Sequence, residues 1–162
     1  LLDIAPQVDF FDALPEYGNE LYCHKKMKTD EANSLEALNA VLPALEALPE
    51  WTYDAIHDAL VGLAERLELK NGRIMWPVRT ALSGKPVTPG GAVELCQLLG
   101  REESLARIRK GIAQLGEVIC VDLVEVSPPY DDAAGTTCYL AARILADFLG
   151  FITKERERRG ER

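Results

Sequence analysis

Asn71-Gly-Arg-Ile-Met-Trp-Pro-Val-Arg-Thr-Ala-Leu-Ser-Gly-Lys85 is the stretch whose reading decides the fold. Proline is tolerated in a first helical turn and glycine is favoured just past a helix end, so the spacing predicts a short helix from Pro77 to Ser83, with Gly84 beyond it. Asn71-Gly72 reads as a strong stop for the helix before it. Downstream, Thr88-Pro89 opens a helix that Gly100 closes. The next helix runs from about Glu102 to Leu115, with Leu105, Ile108, Ile112 and Leu115 as its buried stripe and Gly116 as its end. Upstream, Thr52 caps a helix that turns Ile56, Ala59, Leu60, Leu63 and Leu67 to one side. Asn33 followed by Glu36 resembles a capping box for a helix with Leu35, Leu38, Leu42, Leu45 and Leu48 at helical spacing, which Pro43 should kink or split. Residues 19–28 read as helical and end in Lys25, Lys26 and Lys28. Pro15-Glu-Tyr-Gly18 is a turn, and a short helix follows Pro6. No convincing strand precedes residue 115, so this part is all-α.

The pattern changes at Gly116. Val118-Ile-Cys-Val-Asp-Leu-Val-Glu-Val126 is rich in β-branched residues and bounded by Gly116 and Pro128-Pro129, the pattern of a buried parallel strand. A loop to Thr136 leads into an apolar helix over about 137–152, and Lys154 to Arg162 is a mixed-charge, solvated end. A single strand leaves its N–H and C=O groups in need of partners. Either residues 118–126 become helical or irregular, or they pair across a homodimer. The expected architecture is mainly α: a helical bundle over 1–115 with an appended strand-helix tail over 116–162.

Composition narrows the function. The chain has 162 residues and a formal charge of −8, which argues against nonspecific nucleic-acid binding. The charge is uneven, with five acids and no base in residues 1–20 and twelve of each sign in 21–115. Residues 116–162 carry six bases against nine acids. Groups able to meet phosphate therefore lie mostly in the middle. No uninterrupted apolar run reaches the ~18–20 residues of a membrane span, so no membrane is expected. The start, Leu1-Leu2-Asp3, has no Met, basic region or cleavage pattern; no signal peptide is expected, and an excised fragment or a tagged form is. Cys23, Cys96, Cys120 and Cys138 lack CxxC spacing and sit in apolar patterns, as expected of reduced, buried thiols in a cytoplasmic protein. Cys23-His24 would need two more metal ligands, and His57 is the only other histidine, so neither metal nor cofactor is expected. No Gly-rich phosphate loop follows a strand, and no Ser/His/Asp or Cys/His arrangement is credible.

The run 71–85, then Thr88-Pro89-Gly90 and Leu98-Leu99-Gly100, closely resembles the anticodon-binding end of bacterial glutamyl-tRNA synthetases. Leu21-Tyr-Cys-His-Lys-Lys-Met-Lys-Thr29 and Trp51 extend the resemblance, which covers about residues 1–115. It implies a noncatalytic module that holds the anticodon loop of tRNA-Glu, or also of tRNA-Gln, and splays bases into pockets of aromatics, arginine and backbone groups. The family's Pro-x-Arg-x-Ala-Leu-x-Gly motif puts Arg79 against an anticodon base or phosphate; the alternative is a pair with a neighbouring acid. Thr88 and Pro89 match the loop that packs on the anticodon, or cap a helix, or both. Trp76 stacks on a base or plugs the gap between two helices. Lys85 is placed to reach a phosphate. Lys25, Lys26 and Lys28 form a basic cluster that either binds phosphate or stays solvated. Gly91 stands where some members carry a bulky apolar residue. The catalytic half of such an enzyme, with its His-Ile-Gly-His-like element, is not in this sequence.

Asp122-Leu-Val-Glu-Val-Ser-Pro-Pro-Tyr-Asp131, with Gly135-Thr136 and Ala141-Ala142, resembles the last strand and helix of the arginase/agmatinase ureohydrolases. In that family the carboxylate matching Glu125 lies near the substrate guanidinium. The Asp/His segments that bind its two manganese ions are absent here, so no ureohydrolase activity is expected. The juxtaposition reads as a chimera joined near Gly116. The alternative to tRNA binding is a structural or self-associating chimera with no retained ligand.

Overall fold

The computed structural model describes residues 8–116 and 126–159, the last five without their side chains. Its contacts divide the chain into two units, Leu1–Gly116 and Glu117–Arg162. All long elements are helical, and no strand occurs among the described residues. The expected strand at 118–126 falls almost wholly on residues outside those described, as do Cys120 and Glu125.

Five helices build the first unit: α1 (Glu31–Glu46), α2 (Tyr53–Arg66), α3 (Asn71–Ser83), α4 (Ala92–Leu99) and α5 (Arg101–Leu115). α1 starts at Asp30 and not at Asn33. The Asp30 carboxylate accepts from the Asn33 N–H at 2.9 Å, and the Asn33 carboxamide returns the bond to the Asp30 N–H at 3.1 Å, so Asn33 is the third residue of the box. Leu38 and Leu45 are buried with Ala37 and Val41, while Leu35, Leu42 and Leu48 flank them. Pro43 does not split the helix. Its missing N–H forfeits one bond, to the carbonyl of the exposed Asn39, where water can substitute.

Two boundaries moved. α2 is capped by Thr52, whose hydroxyl accepts from the Ala55 N–H at 3.3 Å, as expected. It ends at Leu67 and leaves that residue exposed. Glu68 then takes φ 54°, its N–H bonds the Glu65 carbonyl at 3.0 Å, and the Leu69 N–H reaches the Ala64 carbonyl at 2.8 Å. This is the closure that glycine usually provides, made here by a glutamate. Asn71-Gly72 is thereby released to begin α3, which is six residues longer than Pro77–Ser83 and carries Pro77 inside it. Gly84 closes α3 with φ 60°, as expected.

Residues 19–28 are not one helix. A 3-10 turn, Asn19–Tyr22, gives way to an antiparallel bridge in which His24 and Thr29 exchange N–H···O bonds of 3.0 and 3.2 Å. The cause lies in α3. Trp76 Nε1 at 2.9 Å and Thr80 Oγ1 at 3.5 Å both donate to the Leu21 carbonyl, occupying the acceptor that a continuing helix would need. Lys25, Lys26 and Lys28 therefore ride on a hairpin turn, with Lys28 at φ 57°.

The core runs between α1, α3 and α5. Gly111 of α5 is what lets them close: a Cβ there would lie 2.6 Å from the Tyr22 hydroxyl and 3.1 Å from the Ala81 Cβ. The strongest polar tie is Arg107, which is buried. It donates to the carbonyls of Phe10 (2.8 Å) and Leu82 (2.7 Å), and its Nε meets Glu103 at 2.6 Å. The stripe of Leu105, Ile108 and Leu115 is buried as expected, with Ile112 half-buried beside it. Of the three described cysteines, all free, only Cys96 is buried, and burial pushes its thiol up to about 12. Cys23 is exposed, because the turn that replaces the expected helix lifts it out of the core.

The second unit consists of a 3-10 turn, Pro128–Tyr130, and α6 (Thr136–Arg159). Asp131 caps α6, accepting from the N–H groups of Cys138 (2.8 Å) and Thr137 (3.0 Å). These bonds hold its carboxyl well below the usual carboxylate range. Tyr139, Leu140, Ile144, Leu145, Phe148, Leu149 and Phe151 are exposed on α6. By length and composition Thr136–Lys154 is apolar enough to cross a membrane. Its apolar run is interrupted by Arg143 and Asp147, which pair with each other at 2.9–3.1 Å.

Two outcomes follow. Arg107→Ala strips charged donors from two buried carbonyls and should cost roughly 3–5 kcal/mol in urea unfolding. Because the folded Asp131 carboxyl lies below its unfolded value of about 3.9, its support for α6 is full above about pH 4. It should fade as pH falls through the depressed folded value. The helical circular-dichroism signal should then drop in acid in wild type, and Asp131→Ala should show the lower helicity already at neutral pH.

Candidate nucleic-acid interface

α3 and the 24–29 hairpin form one seam, and most of the expected site residues lie along it. Arg79 is half-buried on α3. Its Nη2 donates to the Pro86 carbonyl at 2.9 Å and its Nη1 to the Thr88 hydroxyl at 3.3 Å. Thr88 passes the link on by donating to the Gly90 carbonyl at 2.6 Å. The guanidinium also lies over the Trp76 ring, 4.1 Å from its centroid. Burial lowers the Arg79 pKa, yet arginine stays charged at any working pH. No acid pairs with it among the described residues. Two of its five donors are engaged by the 86–90 loop, and the others remain for a ligand.

Trp76 ties α3 to the Leu21 carbonyl and to the hairpin. Its indole N–H is taken by Leu21, and the His24 ring lies 3.9 Å from its centroid. His24 enters the sequence reading only as half of a Cys23-His24 metal pair, because nothing local marks its ring as a partner for Trp76. Its Nδ1 accepts from the Met27 N–H at 3.3 Å, which orients the ring. Trp51 does similar work at the far side of the unit, donating to the Cys96 carbonyl at 2.9 Å.

The remaining site residues separate. Thr88 does not cap a helix: α4 begins three residues after Pro89, and Glu94 closes its start by accepting from the Gly91 N–H at 3.1 Å. Pro89 is exposed at the loop tip. Lys85 lies 2.9 and 3.0 Å from the two carboxylate oxygens of Asp9, so its charge is already matched within the chain. Lys25, Lys26 and Lys28 are exposed on the hairpin and have no ion pair among the described residues.

A helical module that presents arginine, tryptophan and histidine beside a basic turn offers what single-stranded RNA readers use: ring faces for bases and donors for edges and phosphates. Comparison with known proteins gives the class its family. Residues 1–112 match the family described as "Anticodon binding domain", and residues 96–150 match the "Arginase family". The chain belongs to the anticodon binding domain family. It is similar to the glutamate–tRNA ligase of Clostridium tetani, at 54% identity over 115 residues, covering 71% of this chain and 24% of the relative. Similarity to the glutamate–tRNA ligase of Clostridium botulinum Eklund 17B is also 54%, over 117 residues, with the same coverage. A crystal structure of a glutamate tRNA ligase from Elizabethkingia meningosepticum, in complex with its amino acid, aligns with a TM-score of 0.58 and 30% identity. That alignment covers 70% of this chain and 22% of that one. The chain thus spans about a quarter of the curated relatives it matches.

If Arg79 is the tie that holds the 86–90 loop, Arg79→Ala should speed amide hydrogen exchange over residues 86–91 at least tenfold. Global stability should fall by only about 1–3 kcal/mol, the worth of two charge-assisted bonds. Exchange mass spectrometry reads both; unchanged loop exchange would refute the tie.

Proposed function

We propose that residues 1–115 are a noncatalytic anticodon-binding module for tRNA-Glu, or for both tRNA-Glu and tRNA-Gln, fused to a foreign fragment at 116–162. The observation that carries the reading is Arg79. It is braced across the 86–90 loop, stacked on Trp76 and has donors to spare, inside the region that matches the family. Trp76 and Thr88 support it from within, and Pro89 offers a surface at the loop tip. Lys85, matched by Asp9, contributes less than its position in the sequence implied. Glutamate activation and aminoacyl transfer are not assigned to the chain, which spans a quarter of the ligases it resembles. The cytoplasm is the compartment this reading implies. The fusion reading rests on two families matching largely different stretches of one chain, residues 1–112 and 96–150, which overlap over 96–112.

A second reading, self-association, has one observation in its favour: the apolar side chains exposed on α6. Pairing through 118–126, the alternative the sequence offers, falls almost wholly on residues outside those described, so α6 is the segment to test. A dimer in light scattering that Phe148→Lys and Phe151→Lys dissolve would support it; a monomer at high micromolar concentration would sink it.

For tRNA binding, a labelled tRNA-Glu anticodon stem-loop should bind the full chain, and a scrambled-anticodon control should bind more weakly. Arg79→Ala should cost the cognate RNA roughly 10- to 100-fold, about 1–3 kcal/mol, and the control little. Equal binding of both RNAs to wild type would end the anticodon reading.

A further inference from the structure

A second basic feature lies on the same seam. An open cleft of about 350 Å³ separates the hairpin turn from the junction of α2 and α3. Lys26 and Lys28 line it from one side, Lys70 and Arg73 from the other, and Glu68 is the single acid on its walls. None of the four cations has an ion pair among the described residues, although α1, just past the hairpin, offers Asp30 and Glu31. In a chain of net charge −8, four unmatched cations against one carboxylate are a marked local excess. Like charges held together this way repel unless an anion joins them.

The backbone around the cleft is unusual as well. Lys28 (φ 57°) and Glu68 (φ 54°) are the positive-φ residues other than glycine among those described, and both line this cleft. Such conformations are uncommon outside glycine and often accompany binding sites. The hairpin also comes close to α3 here: a Cβ on Gly72 would lie 2.5 Å from the Met27 sulfur. The hairpin therefore touches α3 twice, through Met27 at Gly72 and through His24 at Trp76. Arg73 and Arg79 are six residues apart on α3, about 9 Å of helix rise. That is a reach of one or two nucleotides.

We propose that this cleft is a second RNA subsite, holding backbone phosphates next to the bases met at Arg79, without reading their sequence. The inference deepens the anticodon-binding reading, but the cleft's own chemistry can be tested apart from it. Phosphate contacts position an RNA and base contacts discriminate it, so the two subsites should separate experimentally.

The test uses the full chain and the variant Lys26→Gln/Lys28→Gln/Arg73→Gln, with folding checked by circular dichroism and thermal midpoint. Stem-loop affinity is measured between 50 and 200 mM salt. Losing three phosphate contacts should reduce the salt slope by about 2, at roughly 0.7 per contact. Wild type should therefore lose roughly twentyfold more affinity than the variant across that range, and equally for cognate and scrambled RNA. A folded variant with wild-type slope and affinity overturns the proposal. In a second arm, amide shifts at Lys70, Gly72 and Arg73 are followed with oligo(A), which carries none of the bases of a glutamate or glutamine anticodon. Shifts there uphold the cleft even if the stem-loop shows no anticodon preference; no shift refutes it. Equal shifts with poly-glutamate of matched charge would refute the assignment to RNA.

Discussion

Arg107 is the constraint on which the first unit depends. A guanidinium in a core is costly unless its donors are used. Here they meet the Phe10 carbonyl, the Leu82 carbonyl near the C-terminal end of α3, and Glu103 one turn back on its own helix. The Leu82 carbonyl finds no N–H donor further along α3, so the arginine satisfies a group the helix leaves orphaned and places a cation at the negative end of its dipole. The same bonds dock the N-terminal segment. That docking in turn brings Asp9 to Lys85 just beyond Gly84, and Lys85 follows the helix that carries Arg79. A core arginine thus sets the position from which the surface arginine works.

The seam between α3 and the hairpin shows how an acidic protein can face an acidic polymer. Affinity for phosphate follows the local field, which is screened within about 10 Å at ordinary salt, and not the sum over the chain. The N-terminal acids are spent partly inward, Asp9 on Lys85. The hairpin cations form no ion pair among the described residues, and a single carboxylate, Glu68, shares the cleft that Lys26 and Lys28 line. Trp76 and His24 contribute faces, and Arg79 contributes both charge and a face.

How much of this was legible in the sequence depends on whether the signal was local. The presence of a helix after Thr52 and of one ending before Gly116, the caps at Thr52 and Gly84, and the mainly helical class could be read from spacing alone. The errors share a cause. Asn71-Gly72 resembled a helix stop, but Glu68 had already taken the left-handed conformation three residues earlier. Asn33 resembled a cap, but Asp30 stood one turn before it. Residues 19–28 had helical composition, yet Trp76, 55 positions away, claims the carbonyl of Leu21. The site shows the same division. Arg79 and Thr88 lie in neighbouring motifs and do meet. The pairing of Lys85 with Asp9 and the burial of Arg107 cross 76 and 97 positions, where no pattern in the chain could reveal them.

Those separations also bear on how the unit is made. Arg107 clasps Phe10, and Gln114 donates to the Tyr17 carbonyl and to Asn19, so α5 is sewn to turns near the start of the unit. Loop-closure entropy must be met before such contacts reward it. During vectorial synthesis α1 to α4 can therefore gather early, but the core stays unclosed until α5 has emerged from the ribosome. Until then Tyr22, Leu38 and Ala81 lack the helix that passes Gly111 between them, and the nascent chain has apolar surface on offer to chaperones.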